Sequence, residues 1–174
     1  MNTESATNSE IPLCVDLDGT LIRTDSLVES AALFMKQHFL MIVLFPFWLM
    51  RGRARFKHEI AARTRLDAEY LPYQPEVLDA IRDARKAGRE VILCTGANRR
   101  HADAVAGHLG LFDDVMASDA TTNLTVNEKQ RALTQRFGER GYDYVGNDCK
   151  DLPAFRHARK SLLVAPTQIG RAHV

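Results

Sequence analysis

Cysteine is scarce in this chain of 174 residues: there are three, Cys14, Cys94 and Cys149. Their odd number and wide separation fit neither a disulfide framework nor the paired spacing of a zinc site, so the expected setting is a reducing cytoplasm. An excess of one charge is missing too. Lys and Arg total 23 against 22 Asp and Glu, a net +1, which provides no electrostatic footprint for nucleic acid and argues against that partner. No basic, apolar leader opens the chain; Met1 to Glu10 is polar and acidic and reads as a loose tail. Nor is any apolar run long enough to span a bilayer, since Phe39 to Met50 (FLMIVLFPFWLM) stops at 12 residues and contains Pro46. What remains is a length suited to one domain whose core needs no staples.

Four short apolar runs, Pro12 to Asp16, Glu90 to Cys94, Tyr142 to Gly146 and Ser161 to Ala165, predict strands buried on both faces, with a weaker strand over Asp114 to Ala117. Helical periodicity separates them at Pro75 to Lys86, Asn98 to His108 and Glu128 to Phe137, stopped by Gly88, Gly110 and Gly138. Alternating strands and helices imply right-handed crossovers. The expected fold is therefore α/β, a Rossmann-like doubly wound parallel sheet over 11–167, with its site at the carboxyl ends of the strands. The segment from about 24 to 71 breaks the alternation with helical periodicity alone and reads as a small all-helical cap inserted after the first strand. Its apolar stretch, followed by Arg51, Arg53, Arg55 and Lys57, has two readings: a cap helix buried against the domain with a solvated basic edge, or a surface resting on anionic lipid or a membrane-embedded neighbour.

The chemistry centres on Asp16-Leu17-Asp18-Gly19-Thr20, directly after the first strand. Alternation places the two carboxylates on one side of the extended chain, and Gly19 permits a sharp turn. Such a pair can hold a hard cation through oxygen. One member can attack phosphorus while the other exchanges protons with the leaving group.

This DLDGT pattern resembles the first motif of the haloacid dehalogenase superfamily, and three later segments extend the resemblance. Thr95 and Gly96 stand at the second strand, where the family has a phosphate-binding Thr or Ser. Lys129 stands near a later helix start. Gly146-Asn147-Asp148-Cys149-Lys150-Asp151 stands where the family writes GDxxxD, with Asn147 at the usual metal-binding Asp. The resemblance implies a Mg²⁺-dependent phosphomonoester hydrolase. Asp16 is the implied nucleophile, Asp18 the acid and base, and Lys129 the offset for charge on the transferring phosphoryl. Thr95, Gly96 and Lys129 would hold the phosphate, and the metal would rest on Asp16, the Asp18 backbone, Asn147, Asp148 and Asp151. Asp151 has an alternative role, orienting Lys129.

Two rival readings stand beside this one. Cys94-Thr95-Gly96-Ala97-Asn98-Arg99-Arg100 fits the Cys-x5-Arg loop of cysteine phosphatases, with Cys94 as nucleophile and Arg100 as phosphate clamp. The region from Pro12 to Ala165 also resembles the N-terminal domain of bacterial fusions to a UbiA-type prenyltransferase. That resemblance implies either a phosphatase for a prenyl or glycosyl phosphate at the cytoplasmic face of the inner membrane, or a docking and regulatory module. Residues 168–174 (QIGRAHV) translate a common DNA-sequencing adapter. They are expected to be foreign, with the native chain continuing into a membrane domain.

Overall fold

The computed structural model describes residues 11–119 and 123–164, so both the amino-terminal tail and the adapter-like residues 168–174 lie outside the described residues. Five parallel strands form one sheet: β1 (Leu13–Val15), β2 (Val91–Asn98), β3 (Asp114–Ser118), β4 (Asp143–Gly146) and β5 (Lys160–Leu163), in the order β3-β2-β1-β4-β5. The chain steps outward from β1 to β3 and then returns to the opposite side of β1. The topological switch, where ligands gather in open α/β sheets, therefore falls at the carboxyl tip of β1.

Strand alternation divides the interior in two. Leu13, Val15, Val91, Leu93 and Val145 face one side with Val77, Ile81, Ala102 and Val105, while Cys14, Ile92, Cys94 and Tyr144 face the other with Leu133, Tyr142 and Ala154. The flanking helices are α4 (Pro75–Lys86), α5 (Arg99–Leu109), α6 (Val126–Phe137) and α7 (Leu152–His157). Pro75 opens α4, where a missing N–H costs nothing, and the Asn98 side chain caps α5 by accepting from the Arg100 N–H at 3.0 Å.

Before α4, the chain forms α1 (Ser26–Gln37), a 3₁₀ turn (Phe39–Leu44), α2 (Phe45–Met50) and α3 (Arg53–Arg63). Asp25 caps α1 through the N–H groups of Leu27 and Val28. These pieces share a small core of Phe34, Trp48 and Ile60, with Phe45 and Phe56 packed against it. Among the described residues, no helix is long and apolar enough to cross a membrane.

Two strand expectations need correction. The run from Ser161 is not buried on both faces: among the described residues β5 is the sheet edge, paired only with β4, and its Lys160, Ser161 and Leu162 are exposed. The second strand does not stop at Cys94 either. β2 continues to Asn98, and the pairing with β3 jumps from Cys94–Met116 to Asn98–Ser118. Three residues of β2, Thr95, Gly96 and Ala97, thus lie opposite the single Ala117 of β3, and this bulge sits beside the end of β1.

Candidate active site

Register brings the predicted residues together. Val15 pairs with Leu93 on one side and Val145 on the other, so Asp16, one residue further, lies between the β2 bulge and the Gly146-Asn147 turn. It is buried. The chain then turns sharply: Gly19 adopts φ +75°, and a Cβ there would lie 2.3 Å from Asn147 Nδ2. Only glycine combines this left-handed turn with so close an approach by the opposite loop. Asn147 is tied to the same turn, because the Thr20 hydroxyl donates to its Oδ1 at 3.3 Å.

The centre of the site is an ammonium shared by three oxygens. Lys129 Nζ, from α6, donates to Asp16 Oδ1 at 2.7 Å, to the Tyr144 hydroxyl at 2.9 Å and to Asp151 Oδ1 at 3.3 Å. The Tyr144 hydroxyl in turn donates to Asp151 Oδ1 at 2.9 Å, and Asp151 Oδ2 accepts the N–H groups of Asn147 and Asp148 at 3.1 and 3.4 Å. Both oxygens of Asp151 are thereby committed. Gly146 makes this possible, since a Cβ on it would lie 2.6 Å from Asp151 Oδ2.

Burial of so many charges has electrostatic consequences. Burial, reinforced by Asp151 and Asp18, raises the Asp16 carboxyl to about 7 against the pull of Lys129. For Lys129, burial favours the neutral amine, but Asp16 and Asp151 outweigh it and hold the ammonium above its usual range. Asp18 accepts the Ser26 N–H at 2.8 Å, and burial raises its carboxyl. Asp16, Asp18 and Asp151 together outnumber Lys129, an imbalance that a cation would offset.

The donors at the β1 and β4 tips are oxygens, the kind Mg²⁺ prefers. Among the described residues, no three His, Cys, Asp or Glu side chains form a ready-made metal cluster. Asn147 occupies the place of an acid there, and Asp151 is engaged elsewhere. Asp16 and the Asn147 amide oxygen, beside the DLDGT turn, still suit an oxygen-loving cation.

Thr95 is buried, and its hydroxyl accepts the Ala97 N–H at 3.0 Å within the bulge. Gly96 offers its carbonyl to Ser118 Oγ at 2.9 Å and to Lys57 Nζ at 2.8 Å. Lys57 departs from the reading of a solvated basic edge: it reaches from α3 into a cavity of about 60 Å³ lined by Asp18, Ser26, Asn98 and His101. Burial lowers its pKa. A larger cleft of about 820 Å³, between the end of α3 and α5, meets the small one at His101 and is lined by Arg63, Arg65, Arg100 and His108. Sequence reasoning overlooked Tyr144, Lys57 and His101. A tyrosine inside a strand, a lysine among arginines and an isolated histidine carry no local signal.

The cysteine reading does not survive. Cys94 is fully buried in the core beside Ile92, Leu133 and Tyr144, and burial pushes its thiol up to about 12. Arg100 is exposed on α5. A protonated thiol facing the core can attack nothing at the strand tips.

Residues 13–156 match the description haloacid dehalogenase-like hydrolase. An uncharacterised protein of Sinorhizobium fredii, y4nM, is 39% identical over 157 residues, covering 89% of this chain but only 30% of that protein's length. A Bordetella pertussis protein of unknown function has the same fold, with a TM-score of 0.70, 15% identity and coverage of 94% of this chain and 93% of its own. Substrate-bound phosphoserine phosphatase follows with a TM-score of 0.62, 14% identity and coverage of 93% and 90%. With its matched motifs gathered at one sheet switch point, the chain belongs to the haloacid dehalogenase-like hydrolases.

Proposed function

We propose that this chain is a Mg²⁺-dependent phosphomonoester hydrolase with Asp16 as its nucleophile. The observation that carries the reading is the Lys129 ammonium held at 2.7 Å from Asp16 and at 3.3 Å from Asp151. It favours an ionised, oriented Asp16 in a site where desolvation alone would favour the acid. An oxygen of Asp16 attacks phosphorus, and the bond from phosphorus to the substrate oxygen breaks. Asp18, with its pKa raised by burial, gives its proton to that leaving oxygen. Asp18 then takes a proton from water, whose oxygen displaces Asp16 and releases inorganic phosphate. Thr95, Lys129 and the backbone of the Gly96 bulge would hold phosphoryl oxygens in this reading.

Mg²⁺, when bound, supplies charge neutralisation for the phosphoryl group. Asp16, the Asp18 carbonyl and Asn147 would hold it, with Asp148 beside them. Asp151 is better suited to positioning Lys129 and the Asn147-Asp148 turn than to ligation, because its four accepted hydrogen bonds occupy both oxygens. The substrate is a phosphorylated small molecule, and screening begins with prenyl and glycosyl phosphates.

A second reading rests on Asn147, which removes one negative charge from the cation site. In it, the domain is a docking or regulatory module of a longer protein with a UbiA-type membrane domain. The 30% span of the Sinorhizobium relative is in keeping with a longer protein. Hydrolysis of para-nitrophenyl phosphate, with and without millimolar Mg²⁺, separates the two. Under the hydrolase reading, Asp16→Asn lowers turnover by at least about 10³-fold at unchanged thermal stability. No turnover by the wild type, together with no Mg²⁺ binding by calorimetry, replaces that reading with the docking module.

A further inference from the structure

The stretch from Phe39 to Met50 contains more apolar side chains than its small core uses. Phe45 and Met41 turn inward beside Trp48, which is 5% exposed. Leu40, Val43, Phe47 and Met50 point away, at 75%, 77%, 50% and 86% exposure. Their steps of three, four and three residues run along one side of the 3₁₀ turn and α2, opposite the inward set. Phe39 and Leu49 extend the exposed surface. At these exposures the six side chains present on the order of several hundred Å² of apolar area, comparable with the largest patch on an ordinary monomer.

Charge within the segment and its immediate sequence flanks has one sign. Between Lys36 and His58 lie five of the chain's 23 Lys and Arg residues and none of its 22 Asp and Glu, which leaves the remainder of the chain at net −4. Two of the five are engaged elsewhere, Arg55 with Glu59 and Lys57 with Gly96. Lys36, Arg51 and Arg53 remain exposed. Arg51 lies 4.3 Å from the centroid of the Phe47 ring, its guanidinium at the edge of the apolar surface. Protein interfaces usually carry mixed polar rims. An apolar stripe whose own segment and sequence flanks carry only cations matches a lipid surface, where rings and aliphatic chains enter the acyl boundary and guanidinium groups meet phosphates.

We propose that the exposed face of the Phe39–Met50 segment docks this domain onto an anionic membrane surface. The segment is too short to span the bilayer and lies in its interface, with Arg51 and Arg53 at headgroup level. The helical layer between the sheet and the lipid also contributes Lys57 to the cavity at Asp18, so docking holds the site close to the membrane.

The test is flotation of the full chain with phosphatidylcholine vesicles and with vesicles containing about 30% phosphatidylglycerol, a composition rich enough to create a negative surface potential. Anionic vesicles are expected to bind at least about tenfold more tightly, and less so as salt rises. Arg51→Ala with Arg53→Ala should weaken that binding by about 30-fold, and Val43→Asp with Phe47→Asp should abolish it. All four positions are exposed, so thermal melting is expected to stay unchanged. Equal binding to both vesicle types, or binding indifferent to these substitutions, overturns the proposal. So does a dimer that dissociates on Phe47→Asp in a chain that ignores lipid, which would make a second copy the occupant.

Discussion

Replacing Lys129 with Met is the most direct test of how the site is held together. The ammonium is 7% exposed and serves two carboxylates, Asp16 at 7% and Asp151 at 3%. Met keeps most of the volume but leaves both carboxylates buried without a cation, a change that typically costs about 3–5 kcal/mol. For a domain of this size, that loss lowers Tm by roughly 10 °C. The measurement is urea unfolding at pH 7.5 in EDTA, with the denaturant slope checked for constancy. A double-mutant cycle sharpens it: Asp151→Asn removes one of the stranded charges, so the pair should couple to Lys129 by about 1–3 kcal/mol. A stranded carboxylate has a folded pKa above its unfolded value, so the variant should regain stability as pH falls toward 5. A loss below about 1 kcal/mol, or strict additivity with Asp151→Asn, would refute the view that Lys129 organises these two carboxylates.

His101 should give the fold its own pH dependence. Burial lowers its pKa to about 4, and its Nε2 has no hydrogen-bond partner among the described residues. Because the unfolded chain takes up the proton first, the neutral imidazole stabilises the fold fully above about pH 6.5 and progressively less below it. Relative to His101→Gln, the wild type should lose about 2 kcal/mol between pH 7.5 and pH 5, measured by urea unfolding; a constant difference would show that the ring ionises freely in the fold. Cys94→Ser should retain activity within a few-fold while costing about 1–2 kcal/mol for a hydroxyl placed among Ile92, Leu133 and Tyr144. Complete loss of turnover at unchanged fold would restore the cysteine mechanism.

Much of the architecture was legible because burial on both faces leaves a plain trace. The central strands near Leu13 and Val91 are short unbroken apolar runs, the one near Val145 is interrupted only by Asp143, and α4 occupies Pro75–Lys86 where periodicity places it. β5 misled for a related reason. Its apolar run resembles a central strand, and only the sheet order reveals that no other described strand pairs with its outer side. The bulge in β2 was invisible, since it arises from a mismatch with β3 that no single strand encodes. Phe39 to Met50 announced its hydrophobicity but not which side chains face outward, because that depends on where α1 and α3 leave room.

By itself, the sequence determined the alternation of strands and helices, the pair of aspartates after β1 and the order of the motifs, all of which depend on neighbours within a few residues. Tertiary structure decided which distant groups share one ammonium. Lys129, Tyr144 and Asp151 meet Asp16 because β1 lies between β2 and β4, and because Gly146 leaves no Cβ in the path of a carboxylate. It also decided that Asp151 spends its oxygens on hydrogen bonds and that Cys94 faces the core. Hydrogen bonds and burial act over a few ångströms of space, and chain separation has no bearing on them until the sheet closes that distance.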